Sequence, residues 1–63
     1  MPLIQVSIAE GRSPEQLRSF ISALHQAAEQ HVGALPENTT VILQEIDPAH
    51  WSKADRTIAE RHA

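Results

Sequence analysis

Ile4, Val6 and Ile8 alternate with Leu3, Gln5 and Ser7 at the start of the chain. A period of two predicts a strand over Leu3 to Ile8. Ala9-Glu10-Gly11-Arg12 follows as a connector, with Gly11 free to take a positive φ. The period then changes. Leu17, Phe20, Ile21, Leu24, Ala28 and Val32 recur at steps of three and four, while Arg18, Ser19, Ser22, Gln26, Glu29 and Gln30 take the opposite side. That pattern predicts an amphipathic helix ending near Val32, with Gly33 as its C′ residue. The start is marked by Ser13 as N-cap, Pro14 at the first helical position and Gln16 closing a capping box. Glu15 in the first turn complements the helix dipole.

Ala34 to Asn38 reads as a short link, and Thr39 to Ile46 as a second strand rich in β-branched residues. This strand is apolar on both faces, Val41 and Leu43 on one and Ile42 and Ile46 on the other. Asp47-Pro48 ends it, because proline cannot continue a ladder. In the tail from Ala49 to Ala63, local propensity over Lys53 to Glu60 leans towards helix. Strand, helix, strand is a βαβ unit, expected to be parallel with a right-handed crossover. One helix covers one face of so small a sheet. The expectation is therefore that the other face, taken as the Val41 and Leu43 side, is covered by a second copy of the chain.

Composition adds constraints. With 63 residues, 41% hydrophobic and 21% charged, the chain forms one domain of ordinary globular character. A domain this small buries only about 60% of its unfolded surface. Disulfides, metals or association normally make up the shortfall, and there is no cysteine for the first. A net charge of -3, with Phe20 and Trp51 as the only aromatics, excludes an ordinary nucleic-acid surface. No signal peptide or membrane-length apolar run is visible, so a cytoplasmic location without membrane contact is expected.

Two residues stand out as chemistry. Removal of Met1 would turn Pro2 into a terminal secondary amine, able to act as a general base near neutral pH once desolvated. Proline at position two also occurs with no such role. Arg12, past a strand end and before a helix N-terminus, could hold a carboxylate, or could be a solvated loop arginine. His25, His31, His50 and His62 lack metal-ligand spacing and read as surface residues, and no metal or organic cofactor is expected. Lys53-Ala54-Asp55-Arg56 reads as a solvated face.

Taken together, Met1-Pro2, the strand Leu3 to Ile8, Glu10-Gly11-Arg12-Ser13 with Glu15-Gln16, the helix, Glu45-Ile46 and His50-Trp51 resemble the 4-oxalocrotonate tautomerase family in its short single-unit form. The resemblance runs without gaps to about Trp51 and makes residues 1–63 a single tautomerase-like domain. It implies an α+β fold: a βαβ unit with a parallel two-stranded sheet and a short C-terminal hairpin or tail. It also implies dimers assembled into a homohexamer. By the same resemblance, Pro2 is the catalytic acid/base of an isomerase acting on a small 2-hydroxydienoate or 2-oxo acid. Arg12, from a neighbouring subunit, binds the distal carboxylate of this substrate, and Trp51 forms the aromatic wall.

Departures from the family pattern leave alternatives open. Thr40 stands where relatives carry a second substrate-binding arginine, and its hydroxyl brings no charge. Arg56 or Arg61 could stand in for it. Ala54-Asp55 replaces a glycine pair, which puts a hairpin turn at that point in question. Ala9 and Lys53 replace the arginine and glutamate of dehalogenating relatives, which disfavours that reaction. The competing readings are proline-amine chemistry other than tautomerisation, and a non-enzymatic oligomeric binding module.

Overall fold

The computed structural model describes residues 1–61. The surface reading of His62 lies outside them. Strand β1 spans Leu3–Ala9, helix α1 Pro14–Val32 and strand β2 Thr40–Ile46. A short hairpin, β3 Ser52–Lys53 and β4 Arg56–Thr57, is followed by a single-turn helix α2, Ile58–Arg61. The fold is α+β, as the sequence predicts.

β1 and β2 pair in parallel from Leu3↔Thr40 to Ala9↔Ile46. The ladder is extended at both ends, where Pro2 O accepts from Thr40 N–H at 3.0 Å and Ile46 O accepts from Glu10 N–H at 3.0 Å. Ala9 therefore belongs to the strand rather than to the connector. Gly11 turns the chain with φ 134°.

The helix starts where its capping residues specify. Ser13 Oγ accepts from Gln16 N–H at 3.2 Å, and Gln16 Oε1 accepts from Ser13 N–H at 2.9 Å. It ends at Gly33, left-handed at φ 70°, whose N–H donates back to Glu29 O at 3.1 Å. The link that follows contains a 3-10 turn, Pro36–Asn38. Thr39, the one buried polar residue among those described, donates its hydroxyl to Leu35 O at 2.9 Å.

The helix covers the side of the sheet carrying Ile4, Val6, Ile8, Val41 and Leu43, all half-buried. This corrects the expectation for β2. Val41 and Leu43 lie under the helix, and the uncovered side carries Leu3, Gln5, Ser7, Thr40, Ile42 and Gln44. Leu3 and Ile42 are 57% and 42% exposed. His25 is a further correction: it is half-buried, and its Nδ1 is shielded from solvent without a hydrogen-bond partner.

The tail also differs from its sequence propensity. Lys53 to Thr57 form a hairpin rather than a helix, with Ala54 at φ 55° and Asp55 at φ 61°. Two positive φ values are what a two-residue turn between right-twisted strands requires. Asp tolerates that region, whereas Ala pays roughly 1–2 kcal/mol for it. The strand pairing, Ile58 N–H to Trp51 O at 2.8 Å, and Glu60 N–H to Thr57 Oγ1 at 3.1 Å hold the turn against that cost. The hairpin and α2 pack chiefly on a second 3-10 turn, Pro48–His50, and so form an arm off the βαβ body.

That arm makes the chain long and thin, at 42 × 24 × 15 Å with a radius of gyration of 14.5 Å. A compact domain of this length would have about 11 Å. No apolar side chain is buried among the described residues, and the accessible surface is 4830 Å². A folded monomer of this mass exposes about 4,000 Å². The excess, about 800 Å², equals one side of a standard protein interface.

Replacing Ala54 with Asn, which enters the left-handed region more readily, is expected to stabilise the protein by about 0.5–1 kcal/mol. Chemical denaturation at fixed protein concentration measures it. An unchanged or lower midpoint would show that the turn carries no strain.

Candidate active site

The ladder brings Pro2 and Thr40 together. Pro2 is half-buried at the foot of β1, and its carbonyl is held by the Thr40 N–H. The Thr40 side chain is exposed on the uncovered side of the sheet. Met1, the residue before Pro2, is 98% exposed.

Arg12 lies at the opposite end of the same strand. Seven residue steps from Pro2 to Ala9 span about 23 Å. Arg12 then turns back, its Nη1 donating to Ala9 O at 2.9 Å. With Ile8, Gln16, Leu17 and Phe20 it lines a cavity of about 310 Å³. The Gln16 amide is engaged by the helix cap, so this cavity is a single cation on a mostly apolar wall. Pro2 and Arg12 of one chain cannot meet at one small molecule. The structure separates the two residues that the sequence reading joins through a neighbouring subunit.

Trp51 is half-buried where the arm leaves the body. Beside it, Lys53, Ile58 and Arg61 line a second cavity of about 510 Å³. The Arg61 guanidinium donates through Nη2 to Lys53 O at 3.0 Å. This grouping was not evident from sequence, where Lys53 reads as part of a solvated face. The turn at Ala54-Asp55 creates it by folding Ile58 back onto Trp51, and one helical turn then carries Arg61 to the same side. Arg56 does not line the cavity. Among the described residues, no three His, Asp or Glu side chains form a metal-binding group, and no helix is long and apolar enough to cross a membrane.

A model of the tautomerase enzyme family matches residues 2–61. The chain belongs to the tautomerase family. A probable tautomerase of Ralstonia nicotianae is 48% identical over 54 residues, covering 86% of this chain and 77% of the relative. Among solved structures, TomN, a 4-oxalocrotonate tautomerase homologue in the tomaymycin biosynthetic pathway, superposes with a TM-score of 0.93 at 39% identity. The match covers 97% of this chain and 94% of TomN. A heterohexameric 4-oxalocrotonate tautomerase from Chloroflexus aurantiacus superposes with a TM-score of 0.89 at 33% identity, covering 95% and 97% of the two chains. This tautomerase-family chain thus has the 4-oxalocrotonate tautomerase fold over nearly its whole length, arm included.

The helix cap sits directly after Arg12 and anchors the loop that carries it. Ser13→Ala removes one of the two cap bonds and is expected to cost about 1 kcal/mol. Denaturant unfolding measures the loss. A cost below about 0.3 kcal/mol would mean that the cap contributes little to holding this loop.

Proposed function

We propose that this chain is a cofactor-independent tautomerase in which Pro2, exposed as the N-terminus after loss of Met1, is the general acid/base. The observation that carries this reading is the setting of Pro2: half-buried, fixed at the start of the parallel ladder, and preceded by an almost fully exposed methionine. A secondary amine there takes a proton from a 2-hydroxydienoate or 2-oxo acid and returns it at another carbon. One group acts as base and then as acid. The enolate-like charge formed between the two transfers must face fixed cations or donors. Family membership supports isomerase chemistry of this kind.

The site is completed by association. Pro2 and Arg12 are separated along β1, so in this reading a second copy brings Arg12 to the amine. There Arg12 binds the distal carboxylate and draws electron density along the conjugated chain. Trp51 supplies an aromatic wall, and Thr40 a neutral hydroxyl beside the amine. The uncovered sheet face, with Leu3 and Ile42, joins two chains, and three such dimers make a homohexamer. Oligomeric relatives, including the Chloroflexus heterohexamer, support an assembly of this type. The whole chain is read as one such domain, working in the cytoplasm.

Intact mass is expected to lack one methionine, and native mass to equal six chains. Pro2→Ala is expected to lose at least about 100-fold in the rate of enol–keto conversion of a 2-hydroxydienoate. Retained activity in that variant, or a retained Met1, would remove the proline mechanism. Absence of turnover with a borohydride-trapped iminium adduct at Pro2 would instead favour other amine chemistry, for which uncharged Thr40 is the motive.

A further inference from the structure

The cavity beside Trp51 differs in kind from the one beside Arg12. Arg12 presents one cation among Ile8, Leu17 and Phe20. The Trp51 cavity is lined by two cationic residues, Lys53 and Arg61, together with Trp51 and Ile58. Arg61 is oriented by its bond to Lys53 O, which uses one of the five N–H donors of the guanidinium. Asp55 and Glu60, the carboxylates of the same arm, are not among the residues lining it.

A substrate of the class proposed above has two unequal ends. The distal end bears at most one carboxylate. The 2-oxo acid end bears a carboxylate and, as the proton leaves, a developing enolate oxygen on the adjacent carbon. The two negative charges lie side by side in one plane. A planar guanidinium matches that pair with two parallel hydrogen bonds, and an indole face matches the conjugated chain that continues from it.

We propose that the cavity formed by Trp51, Lys53, Ile58 and Arg61 is the subsite for the 2-oxo acid end of the substrate, with Arg61 as its principal cation. The proposal rests on the tautomerase reading for its substrate. The subsite itself does not depend on Pro2. It also decides between the two arm arginines, since Arg61 lines the cavity and Arg56 does not.

Oxalate carries two coplanar carboxylates and is an unreactive mimic of a 2-oxo acid enolate. Trp51 is the only tryptophan, so its fluorescence reports occupancy of the cavity directly. Oxalate is expected to quench it in the natural chain and in Pro2→Ala alike. Arg61→Gln keeps a donor for Lys53 O but drops the charge, and is expected to weaken oxalate binding about tenfold. Arg61→Lys is expected to restore part of the loss, and Arg56→Ala to bind as the natural chain does. In turnover, Arg61→Gln is expected to lower kcat/KM for a 2-hydroxydienedioate and for the matching mono-acid equally, whereas Arg12→Ala affects the diacid alone. Unchanged oxalate binding in Arg61→Gln, an equal loss in Arg56→Ala, or an Arg61 effect confined to the diacid would overturn the assignment. Turnover by Pro2→Ala bears on the proline mechanism only, and the oxalate titration decides the subsite in either case.

Discussion

A two-stranded parallel sheet has two faces, and this chain has one helix of useful length to cover them. Burying an apolar side chain is worth roughly 1.5–3 kcal/mol, and conformational entropy must be offset largely from that source. Ile4, Val6, Ile8, Val41 and Leu43 obtain partial burial under α1, and Leu3 and Ile42 obtain almost none. With no fully buried apolar residue, the described chain has the interior of an unfinished domain. The arm has the same deficiency, because its hairpin packs mainly on the turn from which it springs. Sheet and arm thus both present surfaces that a second copy would complete, and the surface excess has the size of one side of a protein interface.

The parallel register then determines which functional residues can share a site. In a parallel pair, residues that begin the two strands sit together, and so do residues that end them. Pro2 therefore neighbours Thr40, while Glu10, two residues before Arg12, is bonded to Ile46 at the end of β2. An antiparallel pairing of the same strands would have set the Arg12 end of β1 beside the start of β2 instead of its end. The distance that keeps Pro2 from Arg12 of its own chain is the length of the strand. Under the proposed mechanism, stability and catalysis place the same demand on assembly.

Much of the body was legible because its signals are local. Alternation marks β1, the step of three and four marks α1, and Ser13, Gln16 and Gly33 mark the helix ends within a residue. The sidedness of β2 was not legible. A strand apolar on both faces gives no hint of which face meets the helix, and only the register with β1 puts Val41 and Leu43 beneath it. The arm was half legible for a different reason: the family resemblance implies a hairpin, while local propensity leans towards helix. Ala54-Asp55 has the wrong composition for a turn with two positive φ values, so propensity favoured helix while the cross-strand and flanking hydrogen bonds favoured the hairpin. Pro2 and Arg12 stood out by position alone. Arg61 was legible only as an alternative to Arg56, because its neighbourhood exists only after the turn has formed.

Charge adds an asymmetry that composition averages away. The body through His50 carries two cations, Arg12 and Arg18, against six carboxylates. The segment from Trp51 to Arg61 carries three cations, Lys53, Arg56 and Arg61, against Asp55 and Glu60. An acidic chain thus concentrates its positive charge on the part that reaches furthest from its own body. In an assembly where arms cross to neighbouring bodies, that distribution brings unlike charges together rather than like ones, and it supports docking in the arm-to-body sense. It also focuses cations where an anionic substrate would enter. A chain with its cations spread evenly could have the same fold and net charge, but it would lack the two cationic residues that line the cavity beside Trp51.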